Sequence, residues 1–180
     1  MRGGQRILDE FLVLECQAGN PRALDHLTRR WHPRLLYRAM SLVRDGDGAQ
    51  EVAQESWLAI VRNLGKLKDP ARFAAWSYRI TRNKSADWIR RNQRTRQFEV
   101  SAQHEPVDTS SSHTDKQQVG LLRQAISLLP NDQREVIELF YMEELSVREI
   151  SELLALAEGT VKSRLFHARK QLKQTLEGPK

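Results

Sequence analysis

The sequence predicts an all-α protein made of two small helical domains joined by a flexible linker. Apolar residues recur at three- and four-residue spacing from Arg6 to about Arg96, and again from Val119 to Leu176. No stretch alternates apolar and polar residues as a half-buried strand would. Between the helical stretches, residues 97–118 read QFEVSAQHEPVDTSSSHTDKQQ, with a serine run, a proline and few large apolar side chains. Such a segment cannot bury enough surface to offset the entropy of ordering it. The domains are therefore placed at 6–96 and 119–176, with the linker at 97–118.

The first domain opens with ILDEFLVLECQAGNPRALDHLTRRWHPRLLYRAMSLV. Gly19, Asn20 and Pro21 break it into two helices, with Asn20 as N-cap and Pro21 at the first helical position of the second. Leu24, Leu27, Trp31 and Leu35 continue at helical spacing. RDGDG, Arg44 to Gly48, reads as a turn, and a third helix follows from about Ala49 to Leu64. GKLKDP is a loop, and a fourth helix runs from about Ala71 to Arg91. That helix carries Arg79, Arg82, Lys84, Arg90 and Arg91, with Arg94 and Arg96 just beyond, against the single acid Asp87. Cations in that number repel one another unless an anion faces them. Phe73, Trp76 and Ile80 share one stripe and are expected in the core, whereas Tyr78 and Trp88 are left open between core and base-stacking roles.

In the second domain, VGLLRQAISLLP ends at Pro130, and Asp132 with Glu135 has the form of a capping box. Ser146 and Glu149 form another, ahead of Val147, Ile150, Leu153 and Leu154. After a short turn, Val161, Leu165, Ala168 and Leu172 make the apolar stripe of a last helix, capped at Thr160 or started a few residues earlier. Its other side holds Ser163, Phe166, His167 and Lys170, flanked by Lys162, Arg164 and Arg169. A short helix, a tight turn and an amphipathic helix with a cationic outer face make a helix-turn-helix suited to the DNA major groove. Arg and Lys can bond guanine edges, and Ser and Thr bond phosphates or bases.

Composition agrees. The chain has 180 residues, with 29 Lys+Arg against 23 Asp+Glu, a net charge of +6 and a pI near 9.8. That balance favours a polyanionic partner. The single cysteine, Cys16, excludes an internal disulfide and a Cys-rich zinc site. His26, His32, His104, His113 and His167 are scattered, so neither a metal nor another cofactor is expected. ILDEFLVLEC, broken by Asp9, Glu10 and Glu15, is no secretory signal, and no apolar run reaches membrane-span length, so the expected location is the cytoplasm without membrane insertion.

Four stretches, in this order, resemble the extracytoplasmic-function (ECF, group IV) sigma factors of bacterial RNA polymerase, in the sigma-70 family. DGAQEVAQESW is similar to the region 2 helix written D-A-E-D-[LV]-x-Q-E, with Asp47, Val52, Gln54 and Glu55 as matching residues. WSYRITRNKSADWIRR resembles the region 2.4 helix, with Arg82, Asn83, Asp87 and Arg90 in place. LLPNDQREVIELFY and LSVREISELLALAEGTVKSRLFHARKQL resemble region 4. Glu51 stands for the usual Asp, Ala155 for a frequent Gly and Ala157 for a frequent Pro.

The resemblance implies a four-helix region 2 domain and a helix-turn-helix region 4 domain. The first would bind the β′ clamp of core polymerase through Asp47, Gln54 and Glu55. It would melt and read the −10 element through the loop bearing Lys66 and Lys68 and through Arg79, Arg82, Asn83, Lys84, Arg90 and Arg91. The second would touch the β flap and read the −35 duplex through Glu158, Thr160, Lys162, Ser163, Arg164, Phe166, His167 and Lys170. An anti-sigma factor would be the regulator. A helix-turn-helix regulator that works without polymerase explains 119–176 equally well but leaves DGAQEVAQESW and the basic fourth helix unexplained. An enzyme would need a phosphate loop, a metal cluster or a nucleophile paired with a base, and none of these patterns is found.

Overall fold

The computed structural model describes residues 2–96 and 115–177. The chain divides into two compact units, Met1–Pro106 and Val107–Lys180. Among the described residues every regular element is helical. The linker expected at 97–118 lies outside the described residues up to 114, and its last four residues already belong to a helix.

The first unit holds α1 (Arg2–Gln17), α2 (Pro21–Val43), α3 (Gly46–Asn63) and α4 (Phe73–Arg96). Asn20 caps α2 as expected, its side chain accepting from Arg22 N–H at 3.0 Å, with Pro21 first in the helix. The turn after α2 is tighter than RDGDG suggests. Arg44 is left-handed (φ 54°) and closes α2, and Asp45 accepts from Gly48 N–H at 2.7 Å, so α3 starts at Gly46 rather than Ala49. Val13, Leu27, Trp31, Leu35, Ile60 and Phe73 are buried in this unit. The Trp31 ring meets Phe73 edge-on at 5.0 Å and Tyr78 at 5.6 Å. A second cluster of Ala39, Ala49, Val52 and Trp88 joins α2, α3 and α4. Of the expected α4 core stripe, Phe73 is buried while Trp76 and Ile80 are half-buried.

The second unit holds α5 (Asp115–Ser127), α6 (Asn131–Ile137), a π-helical turn over Glu138–Met142, α7 (Val147–Leu154) and α8 (Glu158–Glu177). The capping box expected at Asp132 and Glu135 is absent, because Pro130 is the N-cap and makes no side-chain cap bond. Asp132 lies inside the first turn and pairs with Arg164 of α8 at 3.3 Å. The box at Ser146 and Glu149 does form: Ser146 Oγ accepts from Glu149 N–H at 3.2 Å, and Glu149 Oε2 accepts from Ser146 N–H at 2.8 Å. Val136, Leu139, Ile150, Val161, Leu165 and Ala168 are buried together in this unit.

The α7–α8 turn depends on Ala155, whose φ of 54° and ψ of 46° are left-handed. A Cβ is disfavoured there and glycine is not. Replacing Ala155 by Gly is expected to stabilise the second unit by about 0.5–1 kcal/mol, net of the added freedom of the unfolded chain. Thermal unfolding checks this; a lower Tm would mean the turn tolerates alanine without strain.

Candidate nucleic-acid and partner interfaces

α8 begins at Glu158, where the N–H groups of Thr160 and Val161 both donate to Ala157 O, at 2.9 and 3.1 Å. Thr160 therefore sits within the first turn and does not cap it. Val161, Leu165 and Ala168 face inward. Glu158, Thr160, Lys162, Ser163, Phe166, His167 and Lys170 are exposed. Phe166 is 63% exposed, with the His167 ring edge-on to it at 5.4 Å. An aromatic side chain left that open on a cationic helix suits apolar contact with a base edge such as a thymine methyl. Two other cations are fastened to the unit itself. Arg164 is half-buried against Asp132. Arg169 donates to Tyr141 Oη at 2.8 Å and lies over the Phe140 and Tyr141 rings, 5.5 Å from each centroid. These two position α8 on α6 and the π-helical turn, a role that spacing along α8 does not disclose.

The basic block on α4 divides by face. Arg79, Asn83 and Arg90 are exposed, and Arg82 is half-buried. Arg90 pairs with Asp87 on its own helix. Lys84 and Arg91 turn toward α3, where Lys84 Nζ is 3.2 Å from Glu55 and Arg91 Nη2 is 3.1 Å from Glu51 and 3.2 Å from Glu55. Burial pushes the Glu55 carboxyl up, but the Lys84 and Arg91 hydrogen bonds and charges outweigh it and hold the group below the usual carboxylate range. The inward stripe of α4 is Ser77, Thr81 and Ser85, all buried. The first two satisfy their hydroxyls within the helix, Ser77 on Ala74 O and Thr81 on Ser77 O.

The aromatics left open by the sequence are both core. Tyr78 is fully buried against Trp31. Trp88 is buried with its indole N–H on Glu51 Oε2 at 3.0 Å. Neither face is available to stack a base. Trp88 also explains Gly48: a Cβ at that position would lie 2.2 Å from Trp88 Cζ2. The register that matches Val52, Gln54 and Glu55 to D-A-E-D-[LV]-x-Q-E puts Gly48, not Asp47, at the motif's first position. Asp47 and Gln54 are exposed, seven residues apart and so on one face of α3, while Glu55 is half-buried.

Between α3 and α4, two 3₁₀ turns at Leu64–Lys66 and Pro70–Arg72 flank the loop that carries Lys66 and Lys68, both exposed. The loop is anchored from α1. Gln17 Nε2 donates to Leu64 O at 2.9 Å and Leu67 O at 2.8 Å, and Arg6 donates to Ala71 O at 3.2 Å. Sequence reasoning missed both anchors, because their partners lie about fifty to sixty-five residues away and a side chain on a backbone carbonyl leaves no motif.

Cys16 is half-buried; burial first and the Glu15 charge second push its thiol up, keeping it protonated and poorly nucleophilic. Among the described residues, no group of three or more His, Cys, Asp or Glu could hold a metal ion, and no helix is long and apolar enough to cross a membrane.

Comparison with known proteins matches the family description Sigma-70 region 2 to residues 27–95, and Sigma-70, region 4 to residues 120–172. The RNA polymerase sigma-H factor of Pseudomonas aeruginosa is 30% identical over 94% of this chain and 94% of its own. The ECF RNA polymerase sigma factor SigM of Mycobacterium tuberculosis is 30% identical over 93% of this chain and 84% of its own. Among solved structures, the sigma factor RpoE of Bartonella quintana, in complex with the anti-sigma factor NepR, shares the fold. Its TM-score is 0.67 at 24% identity, over 87% of this chain and 98% of that one.

Proposed function

The chain belongs to the ECF RNA polymerase sigma factors of the sigma-70 family, and from that premise we propose how its residues divide the work. As a sigma factor it directs core polymerase to promoters. The α3 face of Asp47, Gln54 and Glu55 takes the β′ clamp. Lys66 and Lys68, with Arg79, Arg82, Asn83, Lys84, Arg90 and Arg91, engage the −10 element as an opened strand, where cations track phosphates and strand capture drives melting. Residues 158–170 read the −35 element as duplex, and the second unit also meets the β flap. On this reading the protein is not an enzyme: it needs no cofactor and supplies binding free energy alone, in the cytoplasm beside the polymerase. An anti-sigma factor is its regulatory partner.

The observation that carries the reading is α8. One face, Val161, Leu165 and Ala168, is buried, and the opposite face presents Lys162, Ser163, Phe166, His167 and Lys170 to solvent. Run-off transcription with bacterial core polymerase on a promoter library tests it. The expected result is transcripts from a defined subset of templates that depend on the added chain. Lys170→Ala is expected to lower the salt slope of promoter binding by about 1 if it meets a phosphate, or to cost about 1–3 kcal/mol with relaxed base preference if it meets a base. A folded chain that binds DNA yet starts no transcript on any template would leave a regulator independent of polymerase.

A further inference from the structure

Five side chains meet along the seam of α3 and α4. Glu55 presents Oε2 to Lys84 Nζ and Oε1 to Arg91 Nη2, both at 3.2 Å. Glu51 presents Oε1 to Arg91 at 3.1 Å and Oε2 to the Trp88 indole at 3.0 Å. Lys84 and Arg91 stand two turns apart and share the face of α4 that looks at α3. Glu51 and Glu55 stand one turn apart and look back. Both oxygens of Glu55 are thus engaged, and its side chain keeps only 27% of its surface exposed. The reading above gives Glu55 to the polymerase and Lys84 and Arg91 to the promoter. Glu55 now binds both Lys84 and Arg91, so the two interfaces compete for the same charges.

We propose that Glu51 and Glu55 hold Lys84 and Arg91 against α3 in the free chain, and that core polymerase, by engaging Glu55, frees Lys84 and leaves Arg91 held by Glu51 alone, so that both cations pass to the phosphates of the promoter. This rests on the assignment of Glu55 to the clamp and of Lys84 and Arg91 to DNA.

The partner group that takes Glu55 must itself donate, as an arginine, a lysine or a pair of amides does, since a carboxylate accepts only. These pairs are only partly buried, with Arg91 52% and Lys84 33% exposed, and solvent-screened pairs of this kind are weak enough for such a group to displace them. No helix has to move. Trp88 stays seated on Gly48 and bonded to Glu51, so the exchange needs only rotation of the Lys84 and Arg91 side chains. Coupling of this kind is reciprocal: promoter phosphates that draw Lys84 and Arg91 away expose Glu55 and strengthen polymerase binding by the same factor. A free chain with fewer available cations is also less prone to spend itself on non-specific DNA, whose affinity is set by phosphate contacts.

The test uses the full chain without polymerase, titrated with a labelled single strand of promoter sequence across a salt series. Glu51→Gln with Glu55→Gln keeps side-chain shape and an acceptor for Trp88 while removing the two charges. This variant is expected to bind about threefold to tenfold tighter than the parent, with a salt slope steeper by about 1. Adding Lys84→Ala and Arg91→Ala must abolish the gain. Unchanged affinity in the first variant overturns the proposal. So does a gain that survives loss of Lys84 and Arg91, which would reflect net charge alone. A parallel arm measures promoter binding by the holoenzyme carrying Lys84→Ala and Arg91→Ala. Weaker binding there without any gain in the free chain sinks the exchange alone, whereas unchanged binding sinks the DNA assignment beneath it.

Discussion

Trp31→Ala is expected to cost the first unit about 3–5 kcal/mol, the range for deleting a large buried aromatic. Trp31 is 1% exposed. It meets Phe73 edge-on and Tyr78 at a tilt, so one ring joins α2 to two successive turns of α4. Removing it leaves a cavity that the rigid helices on either side cannot close. Against a total stability of about 5–15 kcal/mol for a domain of this size, the loss is large enough to unfold much of the population at growth temperature. Phe73 opens α4 directly after the loop that bears Lys66 and Lys68, so that loop would lose its footing along with the core. Trp31→Phe should cost far less, because it keeps most of the apolar contact and removes an indole N–H that has no partner. Urea unfolding followed by circular dichroism measures both variants. A loss under about 1 kcal/mol for Trp31→Ala would mean that Phe73 and Tyr78 close the gap by themselves.

Gly48→Ala is expected to cost about 1–3 kcal/mol through overpacking and to weaken polymerase and promoter binding together. The added carbon would sit 2.2 Å from Trp88 Cζ2, 2.6 Å from Cε2 and 2.7 Å from Cη2. A flexible side chain could swing aside, but this ring is planar, bonded through its indole N–H to Glu51 and packed with Ala39, Ala49 and Val52. Relief therefore requires α3 and α4 to part. Gln54 and Glu55 ride on one of those helices and Arg79, Asn83 and Arg90 on the other, so both surfaces shift. Thermal unfolding and core-binding assays on the same preparation check the pairing of effects. Normal melting with normal core affinity would show that the seam has room to spare. Recovery on adding Trp88→Leu would locate the strain in the ring.

The readings that survived from sequence to structure rest on neighbours along the chain. Asn20 and Pro21 start α2, Ser146 and Glu149 start α7, and the stripe of Val161, Leu165 and Ala168 turns inward on α8, each settled within a turn or two. The capping box at Asp132 failed for a nearby reason. Pro130 already holds the cap position, and the carboxylate found Arg164 across the unit instead.

α4 was harder to read because its inward side mixes a polar stripe with aromatic rings. A stripe of Ser77, Thr81 and Ser85 gives hydropathy nothing to detect, so the seven cations there read as one surface, and Tyr78 and Trp88 stay open between core and base-stacking roles until the packing is seen. Helical spacing groups residues by face, but it does not say which face turns inward when none is strongly apolar.

From its sequence alone, this chain determined two helical modules, the helix-turn-helix and the family to which it belongs, because periodicity, capping and motif order are local properties. The tertiary structure alone decided that Lys84 and Arg91 look at Glu51 and Glu55, that Trp88 fills the space left by Gly48, and that Gln17 and Arg6 hold the basic loop. Those pairings join residues about thirty to sixty-five positions apart, and only packing of one helix on another brings such groups within hydrogen-bonding reach.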